Sequence, residues 1–114
     1  MALTSEHCEA CHAGAPKVTD EEIAQLKPQI PDWELVEVKE VPRLRRTYTF
    51  DGWMPAVRFV DTLAEIVEQE DHHPRIVLEW GKVTVSWWTH AIKGLHRNDF
   101  IMAARTDEAY AKHS

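Results

Sequence analysis

The stretch Trp53–Pro74, WMPAVRFVDTLAEIVEQEDHHP, decides how the chain folds. Its apolar residues recur at helical spacing. Val57, Val60, Ala64 and Val67 form one stripe, with Phe59, Leu63 and Ile66 beside it. Asp51-Gly52 just upstream can cap a helix, and Pro55 falls in the first turn, where its missing N–H costs nothing. The pattern predicts a helix over residues 53–69, about 25 Å long at roughly 1.5 Å per residue. Pro74 forbids its continuation. The helix therefore runs out through Glu68, Glu70 and Asp71 into two adjacent histidines, His72 and His73.

Working outward, residues 75–80 and 82–89 read as two strands joined around Gly81. The second alternates Val83, Val85 and Trp87 against Thr84, Ser86 and Trp88, and a connection this tight makes the pair antiparallel. One of Trp87 and Trp88 belongs to the core, and alternation alone does not say which. Upstream, Leu44, Arg46, Tyr48 and Phe50 share one face of a strand opened by Pro42, and Trp33–Val38 reads as a shorter strand. Thr19 or Asp20 caps a short helix carrying Ile23 and Leu26, which ends before Pro28 because the residue preceding a proline avoids helical geometry. A C-terminal helix begins near Leu95 or Asn98 and carries Phe100, Ile101, Ala104 and Tyr110. The order implies an α+β fold, a four-stranded antiparallel sheet with helices packed on one face. Residues 1–17 lack a hydrophobic period and read as a flexible arm preceding a domain over residues 18–114.

The 114 residues fit one domain that buries a core without disulfide or metal. A net charge of −6 argues against nucleic acid as a partner, and Arg43, Arg45 and Arg46 are too small a basic patch to overturn that. No apolar run spans a bilayer and no export signal opens the chain, so a cytoplasmic location without membrane contact is expected. Cys8-x-x-Cys11-His12 has the spacing of a c-type haem attachment site, and zinc held by His7, Cys8, Cys11 and His12 is a second possibility. Without an export signal, a free terminal arm is the favoured reading.

His72 and His73 sit at a helix C-terminus beside three carboxylates, a setting that favours protonated imidazole. His90 ends the second hairpin strand, which antiparallel pairing returns to the neighbourhood of Pro74 and Arg75. Three imidazoles converging on one cleft mouth suit proton transfer near neutral pH. A solvated helix end and a three-histidine zinc site are the competing readings. His96 and His113 stand apart from the cluster and are expected at the surface.

The pattern Glu68-x-x-x-His72-His73-Pro74, then Trp80, then Thr89-His90, Gly94-Leu95 and Asp99, resembles the signature of the pterin-4a-carbinolamine dehydratases. Trp33 after a short helix and Tyr48-Thr49-Phe50 leading into the long helix extend the likeness from about Val18 to the C-terminus. The resemblance implies a fold with a four-stranded antiparallel sheet. It implies dehydration of 4a-hydroxytetrahydrobiopterin to quinonoid dihydropterin and water, in tetrahydrobiopterin recycling, with no cofactor, no metal and a dimeric or tetrameric assembly. His72, His73 and His90 match the family's catalytic histidines. Asp71, Pro74 and Thr89 match residues that contact pterin, and Trp88, Ala91, Asp99, Glu68 and Trp33 complete the implied substrate site. His72 and His90 are assigned as the acid–base pair, with His73 orienting substrate. The chain departs from the pattern at Asn98, where members often carry arginine (Arg97 is one place earlier), at Arg75-Ile76-Val77-Leu78, which replaces an aromatic segment, and at Trp88, which replaces a smaller residue. Some members also serve as dimerization cofactors of a homeodomain transcription factor, so a non-catalytic binding module of the same fold is the alternative function.

Overall fold

The computed structural model of the protein describes residues 3–5 and 17–112. The Cys8, Cys11 and His113 expectations lie outside them. The α-helices are α1 (Asp20–Leu26), α2 (Trp53–Glu70) and α3 (Arg97–Ala111), and the strands are β1 (Glu34–Val38), β2 (Val41–Thr49), β3 (Arg75–Glu79) and β4 (Lys82–Trp87). All strand pairs are antiparallel, in the order β1-β2-β4-β3. The expected α+β class is found. No described helix is long and apolar enough to cross a membrane.

Alternation divides the sheet into two unlike faces. Leu44 and Tyr48 of β2 and Val83, Val85 and Trp87 of β4 are buried and join the core with Ala56, Phe59, Leu63 and Val67 of α2. The centre of the α2 face therefore runs through Ala56, Phe59, Leu63 and Val67. Ala64, expected within the stripe, is exposed, because the bulkier Phe59 and Leu63 set which side turns inward. From Asn98 to Ala104 every residue of α3 is buried, so this helix lies at the centre of the fold. Leu3, inside the expected arm, is 1% exposed and joins the same core, with its backbone N–H bonded to the Gln29 side chain.

Local chemistry sets the element ends. Thr19 and Glu22 form a reciprocal capping box that starts α1. The α-helix stops at Leu26 as expected, but for a different reason than the one anticipated. Lys27, before Pro28, keeps helical dihedrals (φ −55°, ψ −39°), and the chain continues as a 3-10 turn over Lys27–Gln29, with Pro28 where no N–H is needed. Gly52 makes no side-chain cap at the start of α2. The β1–β2 connection is a two-residue turn in which Lys39 and Glu40 both adopt left-handed φ, 51° and 66°. That turn matches strand twist but is strained for residues with a side chain.

Asp107 of α3 ties helix to sheet. Its Oδ1 accepts from Trp33 Nε1 at 2.9 Å, Arg46 Nη1 at 2.6 Å and the Tyr48 hydroxyl at 2.5 Å. The Arg46 guanidinium also lies over the Tyr48 ring, 4.5 Å from its centroid. Burial first, and then the neighbouring Asp107 carboxylate, push the Tyr48 hydroxyl well above its ordinary 10.0. A raised folded-state value means the unfolded chain releases this proton first, so the associated stability is intact below pH 10 and falls as pH rises beyond it. The expected slope is about 1.4 kcal/mol per pH unit above the unfolded value. Urea unfolding of wild type and Tyr48→Phe across that range should show the variant less stable at neutral pH but lacking this alkaline component. Parallel pH curves for the two proteins would contradict the assignment.

Candidate active site

The end of α2 aims the two histidines in opposite directions. Asp71 caps the helix in the left-handed conformation (φ 50°, ψ 41°), with its N–H reaching Glu68 O and Val67 O. The His72 N–H closes back on Val67 O at 3.3 Å, an arrangement that reverses the chain at a helix C-terminus. Pro74 then holds His73 out of helical geometry and leads into β3. Successive residues of extended chain face opposite ways. His72 is buried and His73 is about half exposed.

His72 turns inward onto Asp99. Its Nε2 lies 2.7 Å from Asp99 Oδ1, and its ring stacks on Trp87 with centroids 5.3 Å apart and planes 19° from parallel. Asp99, wholly buried in the first turn of α3, also accepts through Oδ2 from the Thr89 hydroxyl at 2.8 Å and the His96 backbone N–H at 2.9 Å. A buried carboxylate is tolerable when its lone pairs are used, and here they are. Because the carboxylate accepts, it fixes the proton of His72 on Nε2 and leaves Nδ1 of the neutral ring as an acceptor. Extending the β3–β4 register past Arg75↔Ser86 puts His72 opposite Thr89, so one antiparallel pairing delivers both to Asp99.

His96 corrects the sequence expectation. It is 4% exposed, not a surface residue. It is the N-cap of α3: Nδ1 accepts from the Asn98 N–H at 3.0 Å while Asp99 returns the bond to its backbone. The His96-x-x-Asp99 spacing is that of a capping box, a signal visible in the sequence once histidine is allowed in the serine position.

His73 turns outward to Glu68, with Nε2 2.6 Å from Oε1. Both groups are exposed, so the pair is screened and worth less than about 1 kcal/mol. His90 is the first residue of a 3-10 turn, His90–Ile92, held between Thr89 and Gly94 by paired backbone hydrogen bonds. Its exposed ring lies over Trp88, 4.6 Å between centroids, and the Arg43 guanidinium sits 3.9 Å from the same indole. Trp87 is therefore the core tryptophan, and Trp88 carries the open-face stack.

The remaining expected site residues divide. Glu68, Asp71, Pro74, Trp88, Thr89 and Asp99 lie around the histidines, and Ala91 is exposed beside His90 in its turn. Trp33 is buried and bonded to Asp107, eight residues and about 12 Å along α3 from Asp99 at 1.5 Å per residue. Trp80 is 73% exposed in the β3–β4 turn. Arg97 opens α3 beside the buried Asn98. Each imidazole contacts a different side chain: His72 Asp99, His73 Glu68 and His90 Trp88. Among the described residues no three His, Cys, Asp or Glu side chains gather to hold a metal ion.

Comparison with solved structures places the fold. A transcriptional coactivator/pterin dehydratase from Brucella melitensis superposes with a TM-score of 0.74 at 23% identity, covering 82% of this chain and 98% of that one. A pterin dehydratase-like protein identified as a RuBisCO assembly factor in the alpha-carboxysome superposes with a TM-score of 0.57, also at 23% identity, covering 67% and 88%. The family model for pterin 4 alpha carbinolamine dehydratase matches residues 16–109, a span containing every residue of the His72, His73, His90 and Asp99 arrangement, and the chain belongs to that family.

Proposed function

We propose that the protein is a 4a-hydroxytetrahydropterin dehydratase working by histidine acid–base catalysis, with tetrahydrobiopterin recycling as its setting. The observation that carries this reading is the pair of exposed imidazoles, His73 on Glu68 and His90 on Trp88, flanking the buried His72–Asp99–Thr89 group. The reaction needs a proton delivered to the 4a hydroxyl, which leaves as water, and a ring N–H proton removed, which gives the quinonoid dihydropterin. Two imidazoles in complementary protonation states can do both.

We assign the roles by burial, which gives a different division from the His72–His90 acid–base pair expected from the sequence. His72, stacked on Trp87 and bonded to Asp99, is a positioning residue. It fixes the backbone from which His73 projects. His73, with Glu68 as counter-ion, is the proton donor. His90, whose charged neighbour across Trp88 is the Arg43 guanidinium, is the proton acceptor. Trp88 stacks against His90 and Arg43 and so holds both beside the pterin ring.

General acid–base groups contribute about 10²–10⁴ in rate. His73→Ala and His90→Ala should each lower kcat in that range, measured by stopped-flow dehydration of synthetic carbinolamine, with little change in melting temperature. Full activity in both variants would end the reading. A wild-type rate no faster than the spontaneous reaction would leave the chain as a non-catalytic binding member of its family.

Asp99→Asn keeps the side chain's shape but removes an acceptor from three converging donors. The expected cost is about 2–4 kcal/mol in chemical denaturation. The kcat/KM pH profile of surviving enzyme should shift, since the amide no longer holds His72 in one tautomer. An unchanged stability and profile would show that Asp99 does not organise the site.

The same reading includes a homo-oligomer. β1 and β3 are open sheet edges, and such edges are usually covered.

A further inference from the structure

The helix-free face of the sheet is basic. Alternation and register bring Val36 and Val38 of β1, Arg43 and Arg45 of β2, Arg75 of β3 and Ser86 of β4 to that face. They line a cavity of about 290 Å³ that Lys39, in the strained β1–β2 turn, also borders. Four cations thus surround one hollow in a chain whose net charge is −6. Among the described residues none of the four has a carboxylate within ion-pair distance, and Glu34, opposite Arg45 in register, does not close on it. Arg43 Nε is buried without a hydrogen-bond acceptor. Clustered like charges and an unmatched guanidinium N–H both raise the energy of the empty site, and a bound anion relieves both.

The hollow adjoins the histidines. Arg43 shares the Trp88 indole with His90. Arg75 follows His73 by two positions, about 7 Å of extended chain. Arg43 thus borders the hollow and, through Trp88, His90, while Arg75 borders the hollow on the strand that His73 leads into. Planar guanidinium forks match phosphate oxygens in pairs, and Val36 and Val38 supply an apolar wall for a short carbon linker. The volume lies near the lower end of small-molecule sites.

We propose that the Arg43, Arg45 and Arg75 hollow binds a phosphate monoester carried on the side chain of the pterin whose ring lies at Trp88, His73 and His90. The ring's position rests on the dehydratase reading; the anion site does not. The test is calorimetric titration of wild type and Arg45→Gln/Arg75→Gln with 6-hydroxymethylpterin, its phosphate monoester and inorganic pyrophosphate. Wild type should bind the phosphate ester about ten- to a hundredfold more tightly than the alcohol, the range set by charged hydrogen bonds. That ratio should fall close to one in the double variant. The single Arg75→Gln, at an exposed position on an edge strand, should lower it partway and serves if the double variant melts early. Equal affinity of wild type for alcohol and ester would overturn the proposal and leave the dehydratase reading standing. Binding of pyrophosphate to wild type alone, with neither pterin bound, would uphold the anion site and defeat the pterin reading. A preference for the ester that survives both substitutions would overturn the proposal. So would loss of self-association in the double variant by sedimentation, which would assign the hollow to a second copy.

Discussion

The site depends on one buried carboxylate. Asp99 takes hydrogen bonds from His72 after α2, from Thr89 after β4 and from the backbone of His96 at the start of α3. Three chain segments, 10 and 27 residues apart at the side-chain bonds, meet at its two oxygens. A charge this deep is stable only while all its partners hold, so the network is cooperative. Loosening any one segment exposes the carboxylate to an unpaired state and withdraws support from the others. The helix cap, the loop that presents His90 and the turn that presents His73 are thereby parts of one mechanical unit.

Strand alternation then gives the two faces of the sheet different tasks. Trp87 and Trp88 are neighbours in sequence, yet one stacks under buried His72 and the other carries His90 and Arg43 on the open side. The same period separates Leu44 and Tyr48, in the core, from Arg43 and Arg45, in the hollow. Helices supply apolar cover on one face, and the other carries the cationic side chains together with Val36, Val38 and Trp88. Slipping the β2–β4 register by one residue would exchange these roles and bury arginine in the core. The hydrophobic pattern that folds the sheet is therefore also what keeps the cationic hollow beside the histidines.

Much of this was legible in residue order. Helical spacing in 53–69, the stop at Pro74 and the alternation in β2 and β4 follow from local rules, and they locate α2, the hairpin and the three histidines. What escaped is non-local. Asp107 receives Trp33, Arg46 and Tyr48 from 74, 61 and 59 residues away, and a solvent-facing helix carboxylate has the same local pattern. The cationic hollow is not legible locally, because Arg75 and Lys39 join Arg43 and Arg45 only through the register of another strand and a turn. His96 was misplaced because histidine is not among the usual N-cap residues, although its spacing to Asp99 fits a capping box. The inward turn of His72 follows a left-handed residue, Asp71, that no periodicity announces.

The solved relatives share only 23% of their residues with this chain yet keep the fold, which focuses attention on what can vary without disturbing it. The buried Asp99 network cannot vary cheaply, since each of its bonds is needed by the others. The open face is different: Arg45 and Arg75 make no ion pair among the described residues and are not part of the core cluster. In this protein they form a cationic wall near His90, whose ring shares the Trp88 indole with Arg43, and a bound anion is the charge that would offset their mutual repulsion.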